Sequence, residues 1–511
     1  MKHFLLLILI LILPLSASAA IYYVDDDAAD NTGDGLTAGA AKHNIQNALA
    51  LCNANGGDTV TILDGVYDEA ADQITLASLP ATSSATTTIQ AQNKFGVEIQ
   101  QTLDCRSDDY VRNYVSLDGL RFTTLGEHGF CGSYWKITNC FFYGMLLVGS
   151  NKSSETGFNC AYNLFEDCHI DDYGYRYAFE VYNSSNTISR RVVVRHDGGY
   201  SGAQPSAVIQ VYSCQNIIFQ NCIVIDSPGT ANNNWQAAFY TADNVFSGQL
   251  RMDNIKWAGC MAVNQADSHA YYIDNISAFA TVPFLYDNCV AVNCTGGRSF
   301  VNYTDVVGDT VTYNQSMSIN NGTDATNYGF GGAGDYYVDA QYSIILNQTG
   351  NALGSTNITN YNNAYGCLSD NPGTNGFTTD PETNGLLYPI RIESGSTLET
   401  AGDGTRVGAN ITKQWGTTGT IYGAEGYDTV SDTDLWPWPN EDQIKSDFLS
   451  VANASTEARG FCTGNSISGN PQTLTKYIWE YIGSQIPADI YGDTEITNKQ
   501  LKSGTFYGGS W

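Results

Sequence analysis

Short apolar runs recur along the middle of the chain, and many of them end in an asparagine or aspartate followed by a cysteine. The segment NIIFQNCIVID, residues 216–226, is representative. Its apolar and β-branched residues alternate or run together over the length of a strand, without the period of a helix. Glycine, asparagine and aspartate, which favour turns, separate the runs. The pattern therefore predicts many short β-strands.

These segments recur at a regular interval. The cysteines that mark them are Cys140, Cys168, Cys222, Cys260 and Cys289. Successive intervals are 28, 54, 38 and 29 residues, and the interval of 54 holds two repeats if Val193 occupies the missing position. A period near 28 residues, built from short strands, predicts a solenoid whose coils stack at the ~4.8 Å spacing of neighbouring strands.

The chain contains 13 cysteines, an odd number that leaves at least one thiol unpaired within a monomer. In the frame of the repeat, the five marker cysteines point inward and stack. We expect them to form a ladder of buried thiols rather than disulfides. No C-x-x-C pair or His/Cys cluster with zinc spacing is present in the sequence.

Several N-terminal motifs carry a resemblance to a known family. They are Tyr22–Asp25, Gly33–Gly35, the amphipathic stretch Ile45–Ala50, Gly57–Val60 and Asp64–Tyr67. Together they resemble the first coils of the pectin lyase-like superfamily of right-handed parallel β-helix proteins. Motifs near the other end resemble its closing turns: Asp380–Pro381, Ser394–Ser396 and Gly408–Asn410.

The resemblance covers residues 21–410 and implies an all-β fold, a right-handed parallel β-helix solenoid. It also implies a short N-terminal helix that caps the first coil, since an uncovered coil would offer its backbone to other strands. The superfamily includes lyases, hydrolases, phage tail proteins and adhesins, so the fold alone does not decide the activity.

Residues 411–511 differ in composition and are expected to form a small, partly helical C-terminal appendage. Asn440 is a candidate N-cap for a helix that reaches Leu449, and a second helix is expected over Leu474–Ile482 with Gly483 as its stop. We expect a cap or packing element on the C-terminal end of the solenoid, and a separate binding module is the alternative.

The first 20 residues have the pattern of a secretory signal peptide. Lys2 and His3 precede an apolar run over Phe4–Leu15, and the small residues Ala17–Ala19 form a cleavage pattern. No later stretch approaches the roughly 20 apolar residues of a membrane helix. We therefore expect a protein that is exported, to the periplasm or the extracellular space, and is not inserted in a membrane.

The chain is strongly acidic. Acidic residues outnumber basic ones by 52 to 23, which gives a net charge of -29. This balance argues against a general affinity for nucleic acid or anionic membranes. An acidic surface attracts divalent cations, although solubility alone would also explain the charge.

When the coils are aligned on the marker position, an aspartate lies four residues after it in three successive coils. These aspartates are Asp172, Asp197 and Asp226. Carboxylates stacked ~5 Å apart repel each other unless a proton or a cation compensates. With Asp171, this column is a candidate calcium site. The alternative is that these aspartates cap turns and point into solvent.

The same region holds much of the positive charge of the chain: Arg176, Arg190, Arg191, Arg195, His169 and His196. The lyases of the resembled superfamily cleave uronate polysaccharides by β-elimination, which needs a cation for the C6 carboxylate and a base for the C5 proton. In that scheme Arg195 or His196 is the candidate base and Arg176 clamps the carboxylate. The alternative is structural ion pairing, favoured for Arg190 and Arg191. A hydrolase that pairs Asp171 or Asp172 with Asp197 is the less favoured chemistry.

Tyrosines recur with a similar spacing. Tyr182, Tyr212, Tyr240, Tyr272 and Tyr303 follow one another at intervals of 30, 28, 32 and 31 residues. Pointing inward they would form a packed aromatic stack, which is favoured. Pointing outward, Tyr182, Tyr212 and Tyr240 would be candidate substrate-binding residues for sugar rings.

The sequence thus predicts an exported β-helix protein that interacts with polysaccharide, with calcium as a candidate cofactor. Two classes of function stay open. One is a polysaccharide lyase that acts on acidic, uronate-containing glycans. The other is a non-catalytic surface, adhesion or matrix protein that uses the solenoid as a rigid scaffold.

Overall fold

The structure is a computed structural model of the chain, and the part of the chain it describes excludes residues 1–18 of the predicted signal peptide. The described residues are 19–106, 111–149, 160–196, 200, 202, 206–228, 237–243, 252–266, 269–274, 284–303, 310–322, 328–332, 337–354, 358–451, 460–463, 472–484, 486–487 and 490. Within them, no helix is long and apolar enough to cross a membrane.

The chain winds into a right-handed parallel β-helix, as predicted. Each coil contributes strands to parallel sheets that run along the solenoid, here called faces 1, 2 and 3. Strands β8, Leu120–Phe130, and β10, Phe141–Gly149, are long enough to bend from face 2 into face 3. The apolar core fills the space that the faces enclose.

Face 1 contains the first strand of each coil. Its strands are β1 Ile21–Val24, β2 Thr59–Ile62, β4 Thr87–Ala91, β7 Val115–Asp118, β9 Lys136–Thr138, β11 Cys160–Ala161, β12 Leu164–Glu166, β15 Ser184–Arg190, β18 Gln215–Gln220, β21 Asp253–Ala258, β24 Phe284–Asp287, β27 Thr310–Asn314, β30 Tyr337–Gln341 and β33 Ile358–Asn360.

Face 2 contains the strand that follows the marker position. Besides the first parts of β8 and β10, its strands are β3 Gly65–Tyr67, β5 Val97–Ile99, β13 His169–Asp172, β16 Val193–His196, β19 Ile223–Ile225, β22 Met261–Val263, β25 Val290–Val292, β28 Met317–Ile319, β31 Ile344–Leu346 and β34 Asn363–Tyr365.

Face 3 closes each coil. Besides the second parts of β8 and β10, its strands are β6 Asp104–Cys105, β14 Tyr177–Tyr182, β17 Ala207–Tyr212, β20 Ala237–Ala242, β23 His269–Asp274, β26 Phe300–Tyr303, β29 Tyr328–Gly332 and β32 Asn351–Leu353.

The residue before each marker cysteine makes the sharp turn from face 1 to face 2. Asn139, Asp167, Asn221 and Asn288 have φ between 50° and 55°, in the left-handed region, and Gly259 occupies the same position at 63°. Asparagine, aspartate and glycine tolerate this conformation better than other residues, which explains the repeated Asn-Cys and Asp-Cys pairs.

The predicted thiol ladder is confirmed. The five marker cysteines are buried in the core, and none of the 13 cysteines is in a disulfide in the structure. One marker position was wrong. Val193 pairs with His169 and lies on the outer side of face 2, so Val192 takes the cysteine position in that coil. That coil is one residue shorter than the alignment assumed.

A short helix near the N-terminus caps the solenoid, as predicted. It is α1, Ile45–Leu49, and Ile45, Ala48 and Leu49 are buried against the first coils. Further short 3-10 turns cover Ala38–Ala40, Ala70–Asp72, Leu76–Ser78, Thr397–Glu399, Gly460–Cys462 and Glu480–Ile482.

The C-terminal segment contains the two predicted helices, α2 over Glu441–Ser450 and α3 over Leu474–Trp479, and Gly483 ends the 3-10 turn that follows α3. Asn440 precedes α2 but takes a left-handed conformation and makes no capping hydrogen bond.

The segment does not sit on the end of the solenoid. It lies along the outer side of face 2 and buries an apolar surface there, with Phe448, Phe461 and Trp479 against Phe141, Val193, Ile223 and Met261. Strands β35, Lys413–Trp415, and β36, Val430–Asp434, form a small antiparallel hairpin. The outer side of face 1 packs against Ile421, Tyr422 and Tyr427.

Candidate active site

A cleft of about 540 Å³ lies on the outer side of face 3, over the strands β8, β10, β14 and β17. Its lining includes the tyrosines Tyr175, Tyr177, Tyr182, Tyr200 and Tyr212 and the polar residues Glu127, Arg176, Glu180 and Gln210. Concave sites that combine aromatic rings with a few convergent polar groups are typical of small-molecule and sugar binding. The cleft is therefore the candidate active site.

The strand pleat places these side chains. In β14, Phe179 and Val181 point into the core, so Glu180 and Tyr182 point outward. The next strand repeats the arrangement, because Gln210 pairs with Glu180 and Tyr212 pairs with Tyr182. A charged residue in the otherwise apolar strand YAFEVY was the sequence signal that could have identified Glu180.

Glu180 carries the most unusual electrostatics of the cleft. Its side chain is buried, and burial raises the pKa of its carboxyl to about 8. The positive charges of Arg176 and Arg106 lower the pKa of Glu180, and the charge of Glu127 raises it. A neutral carboxyl at pH 7 donates a proton or a hydrogen bond, which an ionised carboxylate cannot do.

A second carboxyl group lines the cleft. Glu127 forms an ion pair with Arg106, and both side chains are partly exposed. Glu127 lies on β8, two strands from Glu180 on β14, and its charge is one of the influences that raise the pKa of Glu180. Most glycosidases use two carboxyl groups, one as acid and one as base or nucleophile.

Arg176 lies at the partly exposed rim of the cleft. Its guanidinium is 4.8 Å from the centre of the Tyr177 ring, in a cation–π contact. This contact orients the charge over the cleft, where a planar guanidinium can bind a carboxylate with two hydrogen bonds. The role predicted for Arg176, a carboxylate clamp, is compatible with this position.

Gln210 lies beside Glu180 on the floor of the cleft and was not singled out from the sequence. Its side chain is 2% exposed, and among the residues that the structure describes its Oε1 atom has no hydrogen-bond partner. Burial raises the pKa of the neighbouring Tyr177, and the side chain of Gln210 acts in the opposite direction. The amide oxygen of Gln210 is therefore a buried acceptor in the lining of the cleft, unsatisfied among the described residues.

The predicted tyrosine column divides into two columns. Tyr182 and Tyr212 are paired neighbours whose rings stack 5.2 Å apart at an angle of 5°. Tyr240 instead pairs with Gln210 and stacks on Tyr272 at 5.6 Å. All of them lie on the outer side of face 3 rather than in the solenoid core.

Within the Tyr182–Tyr212 stack, each ring covers one flat side of the other. Gly149 pairs with Tyr182 on the preceding strand, and Ala242 pairs with Tyr212 on the following strand. Neither of these two neighbouring residues is aromatic. Tyr240 lies deeper, and its hydroxyl donates to Asp274 over 2.8 Å.

Arg195 lies away from the cleft, beneath the C-terminal segment. Both Arg195 and Asp171 have fully buried side chains and form an ion pair, with Nε 3.2 Å from either carboxylate oxygen. Nη2 also donates to the carbonyl of Phe448 over 2.9 Å, and the guanidinium lies over the Phe448 ring. In this position Arg195 attaches α2 to face 2 and has no exposed surface for a polymer.

His196 is close to the cleft wall without lining it. Its Nε2 atom is 3.2 Å from a carboxylate oxygen of Asp172 and 2.9 Å from the carbonyl oxygen of Tyr175. It therefore holds the segment that carries Tyr175 and Arg176.

The aspartate column is not as predicted. Because the coil alignment shifts by one residue at Val192, the position between Asp172 and Asp226 is filled by His196. Asp197 lies outside the described residues. Asp226 is fully buried and accepts hydrogen bonds from Asn264 Nδ2, the Tyr477 hydroxyl and the Phe461 N–H, at 2.6, 2.6 and 3.1 Å. It thus joins the C-terminal segment to the coil turns.

The structural alternative for Arg190 and Arg191 is confirmed. Arg190 and Arg191 both pair with Glu166, and Arg191 also pairs with Asp167 at 2.6 Å. Arg190 further donates to the carbonyls of Thr417 and Tyr427. Arg190 therefore holds residues 417–427 on face 1, and Arg191 links neighbouring coils.

An aspartate triad with the spacing of a metal site is present elsewhere. In the described part of the chain, the acidic group whose ligand atoms lie within 4.8 Å of one another is Asp25, Asp26 and Asp27, at the start of the solenoid. One oxygen of Asp25 accepts the N–H of Asp27, and one oxygen of Asp26 accepts the N–H of Val66. The remaining oxygens are the kind of ligand that calcium takes.

Comparisons with known proteins give distant similarities. No family model and no curated protein matches the chain. Among solved structures, it is similar to a rhamnogalacturonan lyase, with 13% identity, a TM-score of 0.36, and 66% of this chain and 87% of the other covered. It is also similar to an alginate lyase from Paenibacillus sp. str. FPU-7, with 13% identity, a TM-score of 0.30 and coverages of 60% and 91%.

A third similar structure is an endo-xylogalacturonan hydrolase from Aspergillus tubingensis, with 14% identity, a TM-score of 0.29 and coverages of 71% and 99%. At these values the similarities do not bear on activity. The parallel pairing of successive coils is what identifies the fold as a parallel β-helix.

Proposed function

We propose that this protein is an exported carbohydrate-active enzyme that cleaves an acidic polysaccharide by β-elimination in the face 3 cleft. The observation that carries the proposal is Glu180, a buried carboxyl with a pKa of about 8 that lines an accessible cleft. Perturbed carboxyls in clefts are typical of acid–base catalysts.

In the proposed reaction, Arg176 binds the C6 carboxylate of a uronate residue, which makes the C5 hydrogen more acidic. Glu127, which is paired with Arg106, accepts the C5 proton. The electron pair of the C5–H bond forms the C4–C5 double bond, and the bond between C4 and the glycosidic oxygen breaks. Glu180 gives its proton to the leaving oxygen, and solvent exchange restores both carboxyls.

Hydrolysis is the second candidate, because two carboxyl groups in one cleft could activate a water and protonate the leaving group. Elimination is preferred since Arg176 at the rim matches a carboxylate on the substrate. A non-catalytic scaffold that only binds glycan remains the alternative class.

Calcium belongs to the proposal as a candidate cofactor. The Asp25–Asp27 triad would hold it through carboxylate oxygens that local hydrogen bonds leave available. This triad lies on the first coil, so the ion would stabilise the N-terminal end rather than take part in the reaction. Thermal unfolding with calcium and with chelator tests it, and an unchanged Tm would remove calcium from the proposal.

The activity is tested with pectate, alginate and glycosaminoglycans as substrates. We expect absorbance from unsaturated uronate with at least one of them, and its loss in Glu180→Gln. The matched control is Glu425→Gln, a change of an exposed glutamate away from the cleft. New reducing ends without the absorbance would favour hydrolysis. Binding without any cleavage would favour the scaffold class.

A further inference from the structure

Two cysteines outside the thiol ladder lie unusually close together. The sulfur atoms of Cys131 and Cys160 are 3.1 Å apart, closer than two thiols in ordinary van der Waals contact. Both side chains are almost fully buried, at 1% and 0% exposure. No mechanistic role in the cleft uses them.

The backbone geometry around the pair suits a disulfide. Cys131 directly follows β8, and Cys160 begins β11 on the next coil. The N–H of Gly132 donates to the Cys160 sulfur over 3.0 Å, so Gly132 is opposite Cys160 and Cys131 is offset by one residue. Coils ~4.8 Å apart and one residue out of line give a Cα separation of about 6 Å, where disulfides are commonest.

The ladder thiols are directed mainly at backbone carbonyls, although the thiols of Cys222 and Cys289 also contact that of Cys260 and, after burial, raise its pKa. Cys222 directs its thiol at the carbonyl of Ser189 and Cys289 at that of Trp257, both over 3.3 Å on neighbouring coils. Cys160 directs its thiol at another sulfur instead. The contact with Cys131 is also the largest of the influences that raise the pKa of the Cys160 thiol.

We propose that Cys131 and Cys160 form a disulfide bond in the mature protein. Each thiol loses a proton and the pair loses two electrons, while an external disulfide takes them up and becomes two thiols. The bond forms by thiol–disulfide exchange during folding, because the finished core excludes the oxidant.

The bond would tie β8 to β11 and close the loop that contains β9 and β10. Met145, on β10, lines the cleft, so the covalent link braces one cleft wall. Cross-linking a loop of this length lowers the entropy of the unfolded chain. We expect reduction to lower the Tm by roughly 5 °C.

The test is a peptide map of the protein secreted from an oxidising compartment. The protein is unfolded without reductant, its free thiols are alkylated, and the digest is analysed by mass spectrometry. We expect one linked pair of peptides that contain Cys131 and Cys160, while Cys222 and Cys260 are alkylated. Alkylation of Cys131 and Cys160 in all molecules would overturn the proposal.

A second measurement compares the Tm with and without reductant in the native sequence, in Cys131→Ser and in Cys222→Ser. The reductant should lower the Tm of the native sequence and of Cys222→Ser but not that of Cys131→Ser. An equal fall in all three, or none in the native sequence, would contradict the proposal. If Cys131→Ser does not fold, the peptide map decides alone.

Discussion

Glu180 and Gln210 are opposite each other on neighbouring strands of face 3 and form the floor of the cleft. Both residues carry a buried polar group, and burying such a group costs free energy of folding. The carboxyl of Glu180 keeps its proton up to a pH of about 8. The amide oxygen of Gln210 has no hydrogen-bond partner among the described residues. Folding alone would favour apolar side chains at both positions. Both groups line the cleft, so a bound ligand could supply polar partners for them.

Activity should depend on the protonation of Glu180. A general acid works only while it holds its proton, so kcat/KM should fall as the pH rises through about 8. Glu180→Gln should lower kcat by about 10²–10⁴ and remove that limb of the profile. The pH profile of both proteins, measured with the best substrate of the panel, checks this. An unchanged profile in the variant would contradict the role.

The same group should make the stability depend on pH. The folded state keeps the proton of Glu180 up to a pH of about 8, whereas the unfolded chain releases it near the ordinary value of 4.5. The folded state binds more protons between these values, so the free energy of unfolding should fall as the pH rises through this window. Glu180→Gln should flatten this fall, and denaturant unfolding at several pH values measures it. Glu425→Gln should leave the slope as it is.

Gln210→Leu should weaken glycan binding without destabilising the fold. The change removes an acceptor in the cleft lining that is unsatisfied among the described residues, and the loss of a hydrogen bond from a ligand hydroxyl to it is expected to cost about tenfold in Kd. Stability should change little, because no described group donates to that oxygen. Calorimetric titration with pectate and alginate oligosaccharides measures the Kd.

Gln265→Leu is the matched control. Gln265 is also buried, but its amide donates to the carbonyls of Val224 and Val263 over 3.2 and 2.7 Å. This variant should lose stability and keep its affinity. Equal affinities of Gln210→Leu and the native protein would exclude Gln210 from recognition.

Arg195 should contribute to stability rather than to the reaction. Arg195→Met leaves Asp171 buried without its partner and should cost about 3–5 kcal/mol of unfolding free energy. Adding Asp171→Leu should recover much of that loss, which a double-mutant cycle quantifies. Lys413→Met, in an exposed pair with Asp434, should cost well under ~1 kcal/mol. A folded Arg195→Met protein with native stability and no activity would contradict this assignment.

Asp226 should hold the C-terminal segment on the solenoid. Asp226→Ala leaves the Tyr477 hydroxyl and the Phe461 N–H without their acceptor, at a cost of about 2–4 kcal/mol. Denaturant unfolding gives the cost, and limited proteolysis should cut residues 440–490 faster. Asp403→Ala is the control, since Asp403 is exposed and has nearly the same φ, 54° against 53°. Similar losses in both variants would mean that the backbone conformation, not the hydrogen bonds, matters.

Much of the fold was predictable from the sequence. The marker cysteines, the turn-forming residues before them and the strand patterns are local features, repeated in each coil. Together they predicted a solenoid of short strands with buried thiols, while the resemblance to a known family implied the N-terminal helix. Every coil must bury its inward-facing side chains, so the same pattern of apolar residues recurs along the chain and is easy to recognise. The helices of the C-terminal segment were also predictable, because the residues that favour and end a helix are close together in the sequence.

The site depended on tertiary structure. Coils differ in length, so the one-residue shift at Val192 changed the column of Asp172 and Asp226, and the pairing of Tyr240 with Gln210 divided the tyrosines. The C-terminal segment lies along face 2 and buries Arg195, which no local pattern indicates. Sequence determines which residues alternate in a strand, but the register between coils and the packing of a distant segment decide which of them reach the solvent.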